Sequence, residues 1–164
     1  MEQRESARAV ILNSRNQVLL LRFVNAKPVD PANPDILDYW VTPGGGLEKG
    51  ESFEDALQRE LVEELGLDCI EVRRPVGERK VVLDLPEKGR VLSYERYFSC
   101  RLSVDVDLTH GGLSQLEKEV FRNARWWDLD DLVGSGVVVR PLRLIDLCKA
   151  ALAPEGAQEI YLDE

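Results

Sequence analysis

Histidine is all but missing from this chain: His110 is the only one among 164 residues. A His-based catalytic triad would depend on that single residue, and a His-rich metal centre has no material. His110 itself lies in the polar stretch SVDVDLTHGGLS, where a loop residue is expected and not a catalyst. Cysteine is scarce as well. Cys69, Cys100 and Cys148 are odd in number, far apart and without a CxxC pair, which argues against structural zinc and for buried free thiols. No apolar run approaches the roughly 20 residues needed to cross a bilayer. The N-terminus, MEQRESARAV, lacks the apolar core of a signal peptide, so a cytoplasmic location without membrane association is expected.

Positive charge is in deficit. Lys and Arg number 21 against 30 Asp and Glu, giving a net charge of −9. Such a surface repels a nucleic-acid backbone at long range, so long RNA or DNA is a poor partner. A small nucleotide held through bound cations escapes that objection, because the ion reverses the local field.

What is present is one ordinary domain's worth of chain, spanning 1–164, with 44% hydrophobic and 31% charged residues, the balance of a soluble globular protein. Ala7 to Leu12 reads as a strand, Asn13 to Gln17 as a turn, and Val18 to Val24 as the returning strand. Arg22 interrupts that apolar run and points either to a cleft or to an edge. Asn25 to Asp38 is a long polar insertion with three prolines, a lid over the ligand or a passive excursion. As a lid it would be replaceable by a Gly/Ser linker without loss of the fold. Tyr39 to Thr42 forms a short strand that leads through Pro43 into Gly44, Gly45 and Gly46, where small residues let backbone N–H groups approach a phosphate. Asp68 to Leu83, broken at Pro75 and Gly77, and Val91 to Leu102 read as a hairpin. Val104 to Gly112 is an acidic loop. Val120 to Trp127 is a further strand, Asp128 to Val133 a helical turn, and Arg140 to Ala153 a closing helix. Tyr94, Tyr97, Trp40 and Trp127 are suited to stacking on a base, though core packing is the commoner role for such residues.

The densest information lies between Gly45 and Leu67, GGLEKGESFEDALQRELVEELGL. Ser52 stands where an N-cap belongs, Phe53, Ala56, Leu57, Leu61 and Leu65 mark one apolar face, and Gly66 is the stop. At about 100° per residue, Glu60, Glu63 and Glu64 share an arc that overlaps this apolar face. Like charges at that spacing repel, and a carboxylate beside a buried face loses hydration. A divalent cation removes both penalties, and an all-oxygen donor set suits Mg²⁺ or Mn²⁺. A solvated acidic face is the plain alternative. Two phosphate motifs do not apply: Glu51 stands where a P-loop needs lysine, and Lys49 where a dinucleotide-binding loop needs its last glycine.

Gly45, Glu51, Arg59, Glu60, Leu61, Glu63, Glu64, Gly66 and Leu67 fill every fixed position of G-x5-E-x7-R-E-U-x-E-E-x-G-U, with U a bulky aliphatic. By this pattern the chain resembles the Nudix (MutT-like) hydrolases, and Arg125 to Leu132, RWWDLDDL, is similar to a stretch found in bacterial members. The resemblance implies an α/β fold, the α/β/α sandwich with a mixed central sheet, carrying the motif helix on one face and the C-terminal helix on the other. It also implies Mg²⁺- or Mn²⁺-dependent hydrolysis of a nucleoside diphosphate linked to another moiety. Glu60, Glu63 and Glu64 would line the metal site, and Arg59 would organise them with Glu51 as its partner. Glu60, Glu64 or a residue outside the motif, Glu117 or Glu119, would act as general base. Gly44, Gly45, Gly46, Trp40 and Arg22 are the candidate substrate contacts, and a homodimer is compatible with the family. Markers of the ADP-ribose and diadenosine polyphosphate types are missing at Val82 to Leu85. A nucleoside triphosphate or dinucleotide-type substrate is therefore expected. Two alternatives stay open: a non-catalytic nucleotide-sensing module, and an RNA 5′-pyrophosphohydrolase.

Overall fold

The computed structural model describes residues 1–68 and 70–164; Cys69, expected as a buried thiol, lies outside the described residues. Among the described residues the strands are β1 (Glu2–Leu12), β2 (Val18–Val24), β3 (Asp38–Val41), β4 (Gly44–Gly46), β5 (Glu71–Leu85), β6 (Gly89–Arg101), β7 (Phe121–Trp127), β8 (Val139–Arg140) and β9 (Ile160–Leu162). The helices are α1 (Phe53–Leu65), α2 (Gln115–Val120), α3 (Leu129–Ser135) and α4 (Leu144–Leu152). No described helix is long and apolar enough to cross a membrane.

All strands join one mixed sheet, ordered β8-β3-β2-β1-β6-β5-β9, with β4 beside β1 and β7 beside β2. β1 runs parallel to β6, β3 to β8 and β5 to β9, while the remaining pairs are antiparallel. Alternation along β1 and β2 sorts the core into two halves. Ala7, Ala9, Ile11, Leu19 and Leu21 face Ala56, Leu57, Leu61 and Leu65 of α1. Val10, Leu12, Val18 and Leu20 face Leu144, Leu147 and Cys148 of α4, together with Trp40 and Trp127. The expected sandwich, a helix on each face of a mixed sheet, is what forms. Each leucine so buried contributes about 1.5–3 kcal/mol.

α1 is bounded as its sequence dictates. The Ser52 hydroxyl accepts from Asp55 N–H at 3.1 Å. Gly66 adopts φ 69°, and the N–H groups of Gly66 and Leu67 reach Val62 and Leu61 carbonyls to close the last turn.

Elsewhere the boundaries move. The bend at Pro75 and Gly77 is a shift in register within one long strand, not a break between two. The closing helix starts at Leu144 because Arg140 precedes a proline, favours extended backbone, and pairs as strand β8. Helix α2 and strand β9 were not expected. The sequence signal for α2 was Ser114-x-x-Glu117, whose side chains and backbone N–H groups cap each other at 3.0 and 3.1 Å.

The insertion 25–38 is anchored. Asp30 is buried and pairs with buried Arg140 at 2.7 Å, while also accepting from Ala32 N–H and the Asn33 amide. The Val29 carbonyl accepts from Asp84 N–H at 2.7 Å. Replacing the segment by a flexible linker would strand the Arg140 charge, so the expectation that the fold tolerates that exchange is not supported.

One departure from regular pairing creates the site. β1 and β2 meet at Leu12 and Val18, after which β4 takes the place beside β1 at Ser6 to Arg8. Between the parted strands opens a cleft of about 270 Å³.

Candidate active site

Arg59 gathers three of the motif's four glutamates, Glu51 ahead of α1 and Glu60 and Glu63 on it. Its Nε and Nη2 donate to the two carboxylate oxygens of Glu51, each at 2.9 Å, a bidentate clamp. Nη2 also donates to the Gly46 carbonyl at 2.8 Å, tying the helix to β4. Nη1 reaches Glu60 at 3.0 Å and, more loosely, Glu63 at 3.4 Å. These donors, then the Glu48 N–H, hold the Glu51 carboxyl below its ordinary range. The pairing expected of Glu51 and Arg59 is thus present in the geometry.

Successive glutamates end in different surroundings because each residue turns the helix by about 100°. Glu63 keeps a side-chain exposure of 41% and leans toward Arg59. Glu64 is buried, with one oxygen accepting from Gly44 N–H at 2.6 Å. Burial pushes the Glu64 carboxyl up to about 8 against the opposing effects of Arg8 and the Gly44 N–H, with Glu60 adding repulsion. Burial likewise raises Glu60, although Arg59 counters it.

The glycines are a matter of space. A Cβ on Gly44, whose φ is 137°, would lie 2.1 Å from the Ala7 carbonyl oxygen, and one on Gly45 would lie 2.5 Å from the Glu60 carboxylate. Their expected part, presenting N–H groups to a phosphate, is modified at Gly44, whose N–H is taken by Glu64.

The rest of the cleft comes from all over the chain. Arg4 and Arg8 of β1, Phe23 and Asn25 at the end of β2, and Tyr39 and Val41 of β3 line it with Glu60 and Glu64. Leu83, Leu85, Leu116, Glu117 and Val120 complete the wall. Asn25 donates its amide to the Tyr39 hydroxyl at 2.8 Å, and Phe23 stacks on Tyr39 at 6.4 Å between centroids. Of the two outside glutamates, Glu117 lines the cleft and Glu119 does not.

Trp40 and Arg22 do not line it either. Trp40 is buried in the α4 half of the core, edge-to-face with Trp127 at 5.2 Å. Arg22 forms an exposed pair with Asp38 at 2.7 Å, and it stands between β3 and β7, neither in the cleft nor at a sheet edge. Alternation along β3 turns Tyr39 into the cleft where Trp40 was expected. Tyr97, also a stacking candidate, is fully buried.

His110 is in a loop, as expected, and its Nδ1 donates to the Glu64 main-chain carbonyl at 2.7 Å, a prop for the end of α1. Sequence reasoning missed Arg4, Arg8, Asn25 and Tyr39. The available signal for the first two was arginine in the core-facing register of a strand, since residues 4 and 8 share a face with Val10 and Leu12.

Glu60 and Glu64 fit a hard cation. Two carboxylates are pressed together at low exposure with few donors to answer them, and a positive ion between them relieves both burial and repulsion. Among the described residues, no three His, Cys, Asp or Glu side chains form a ready-made cage. That is compatible with Mg²⁺, which takes one or two carboxylates and completes its shell with water and substrate phosphate.

Comparison with known proteins agrees with the fold and the motif. A family model described as the NUDIX domain matches residues 2–146. An RNA pyrophosphohydrolase of Sulfurovum sp. (strain NBC37-1) is 30% identical over 135 residues, covering 79% of this chain and 80% of that protein. The RNA pyrophosphohydrolase of Wolbachia pipientis subsp. Culex pipiens (strain wPip) is 33% identical over 112 residues, 60% of this chain and 64% of the relative's length. Among solved structures, the MutT protein from Methanosarcina mazei Go1 superposes with a TM-score of 0.61 at 20% identity, covering 92% of this chain and 93% of that one. At that identity the likeness speaks for the fold alone.

Proposed function

This chain belongs to the Nudix family, whose members hydrolyse pyrophosphate linkages, and we propose that it cleaves the diphosphate of a small nucleotide with Mg²⁺ or Mn²⁺. The observation that carries this reading is the Glu60–Glu64 pair, one half-buried and one buried, lining a cleft that also holds two arginines and two stacked aromatic rings. Glu60 and Glu64 would hold the ion, while Glu63, the third ligand the motif implies, faces solvent and Arg59 outside the cleft lining. Such an ion neutralises charge on phosphate oxygens and acidifies water.

The chain's own residues supply the rest. Arg59, braced by Glu51, fixes the Glu60 carboxylate, and the Gly44 N–H fixes that of Glu64. Phe23, Tyr39, Leu116 and Val120 give the nucleoside an apolar wall. In the reaction, water oxygen bonds to one phosphorus as the bridging P–O bond breaks. The proton passes to a carboxylate, with Glu117, Glu60 and Glu64 as the bases within the cleft. Products are a nucleoside monophosphate and the phosphorylated remainder.

A screen of nucleoside triphosphates, dinucleoside polyphosphates and nucleotide sugars, with Mg²⁺, with Mn²⁺ and with chelator, tests this reading. Metal-dependent release of nucleoside monophosphate supports it. Tight nucleotide binding without product across the panel would instead indicate a sensing module. A second reading, removal of pyrophosphate from RNA 5′ ends, is favoured by the names of the curated relatives and opposed by the net charge of −9. Faster turnover of 5′-triphosphorylated RNA than of free nucleoside triphosphate in the same assay would establish it.

A further inference from the structure

The cleft contains two cations, and only one of them is answered. Arg8 donates Nη1 to the Thr42 and Gly44 carbonyls at 2.9 and 3.1 Å, and lies in the field of Glu95 and Glu64. Arg4, on the same face of β1, is half-buried against Gly46. A Cβ on Gly46 would come within 2.8–3.1 Å of its guanidinium. Among the described residues, no carboxylate pairs with Arg4 and no carbonyl accepts from it. The other buried arginines behave differently: Arg79 pairs with Glu95 and Glu164, and Arg140 with Asp30. Holding a guanidinium out of water without a partner, beside Arg8, is unfavourable unless an anion completes the site. The two carboxylates whose field reaches Arg4 are already engaged, Glu95 by Arg79 and Glu60 by Arg59.

We propose that Arg4 binds a substrate phosphate beyond the diphosphate being cleaved, and so makes a chain of three or more phosphates the preferred substrate. This rests on the hydrolase reading for its consequence but not for the binding itself. An ion held by Glu60 and Glu64 would neutralise the reacting diphosphate. A further phosphate needs a cation of its own, and of the residues lining the cleft Arg4 is the one left to provide it.

The test uses Arg4→Gln and Arg4→Lys in the full chain, with folding checked by thermal melts. Calorimetry with inorganic tripolyphosphate in Mg²⁺ should show binding about 10- to 100-fold weaker in Arg4→Gln, with partial recovery in Arg4→Lys. KM for a nucleoside triphosphate should rise by a similar factor while kcat changes little. The loss on a nucleoside diphosphate joined to a neutral sugar should be at least about tenfold smaller. Unchanged tripolyphosphate affinity in folded Arg4→Gln, or equal losses on both substrates, would overturn the proposal. If the wild type binds tripolyphosphate through Arg4 yet cleaves nothing, the hydrolase reading fails and this one stands. If it cleaves nucleotides and Arg4→Gln matches it on both, the reverse holds.

Discussion

Glu64 and Glu95 are both carboxylates removed from water, at 4% and 1% exposure, yet they are treated in opposite ways. Burial pushes each upward. At Glu95 the Arg79 guanidinium at 2.8 Å, the nearby Arg8 and the Tyr97 hydroxyl at 2.6 Å overcome that effect and hold the carboxyl down at about 2. At Glu64 the field of Arg8 and a single N–H do not, and the carboxyl rises to about 8. The first arrangement is complete within the protein and serves its architecture. The second is left open to an incoming charge, as a site that binds a cation requires.

The largest effect that separates the two should come from Glu64→Gln. Shape is kept and a ligand charge is lost, so turnover on the best nucleotide should fall by about a thousandfold, roughly 4 kcal/mol of barrier. Stability without metal should hold or rise, because an uncompensated buried acid has gone. Wild-type turnover in this variant would remove Glu64 from the site.

Glu95→Gln should do the reverse to stability. It leaves the buried Arg79 without that partner and should cost about 3–5 kcal/mol in denaturant unfolding. The same pair sets an acid limit. Because the folded Glu95 carboxyl lies below its ordinary 4.5, its contribution is present above pH 4.5 and is lost as pH falls toward about 2. Wild-type stability should therefore decline more steeply over that window than that of Glu95→Gln. Parallel curves would show that Arg79 does not hold the carboxyl as the geometry indicates.

A smaller effect is expected from Asp30→Asn in the insertion. The amide keeps the shape but weakens the hold on Arg140, costing about 1.5–3 kcal/mol. Because Val29 lines the cleft, KM should rise as well, whereas kcat should change little. A loss of stability with KM unchanged would make the insertion an anchor alone.

How much of this was readable in advance follows from distance along the chain. Arg59, Glu60 and Glu64 lie within two turns of α1, and Glu51 stands just ahead of its N-cap, so local backbone geometry fixes their relation and a spacing pattern reveals it. Trp40 was misplaced because a short strand next to a glycine turn gives no sign of which face meets solvent, and a one-residue shift exchanges Tyr39 for Trp40. Glu117 and Glu119 could not be told apart for a related reason. The short helix that orients them is set by a capping box, and the cleft it faces is built by β2, β3 and β5.

The sequence by itself determined the family, the motif helix with its caps, and the sandwich, because these depend on local periodicity and on residue types at fixed spacing. Only the tertiary structure decided which charges are answered. Glu63 and Glu64 are neighbours with identical chemistry, but one meets solvent and Arg59 while the other is buried against Gly44. Arg4 and Arg8 share a strand face, but carbonyls of the segment running into β4 satisfy Arg8 alone. The cost of an ionised group is set by the dielectric and the partners around it, and those are delivered by segments dozens of residues away.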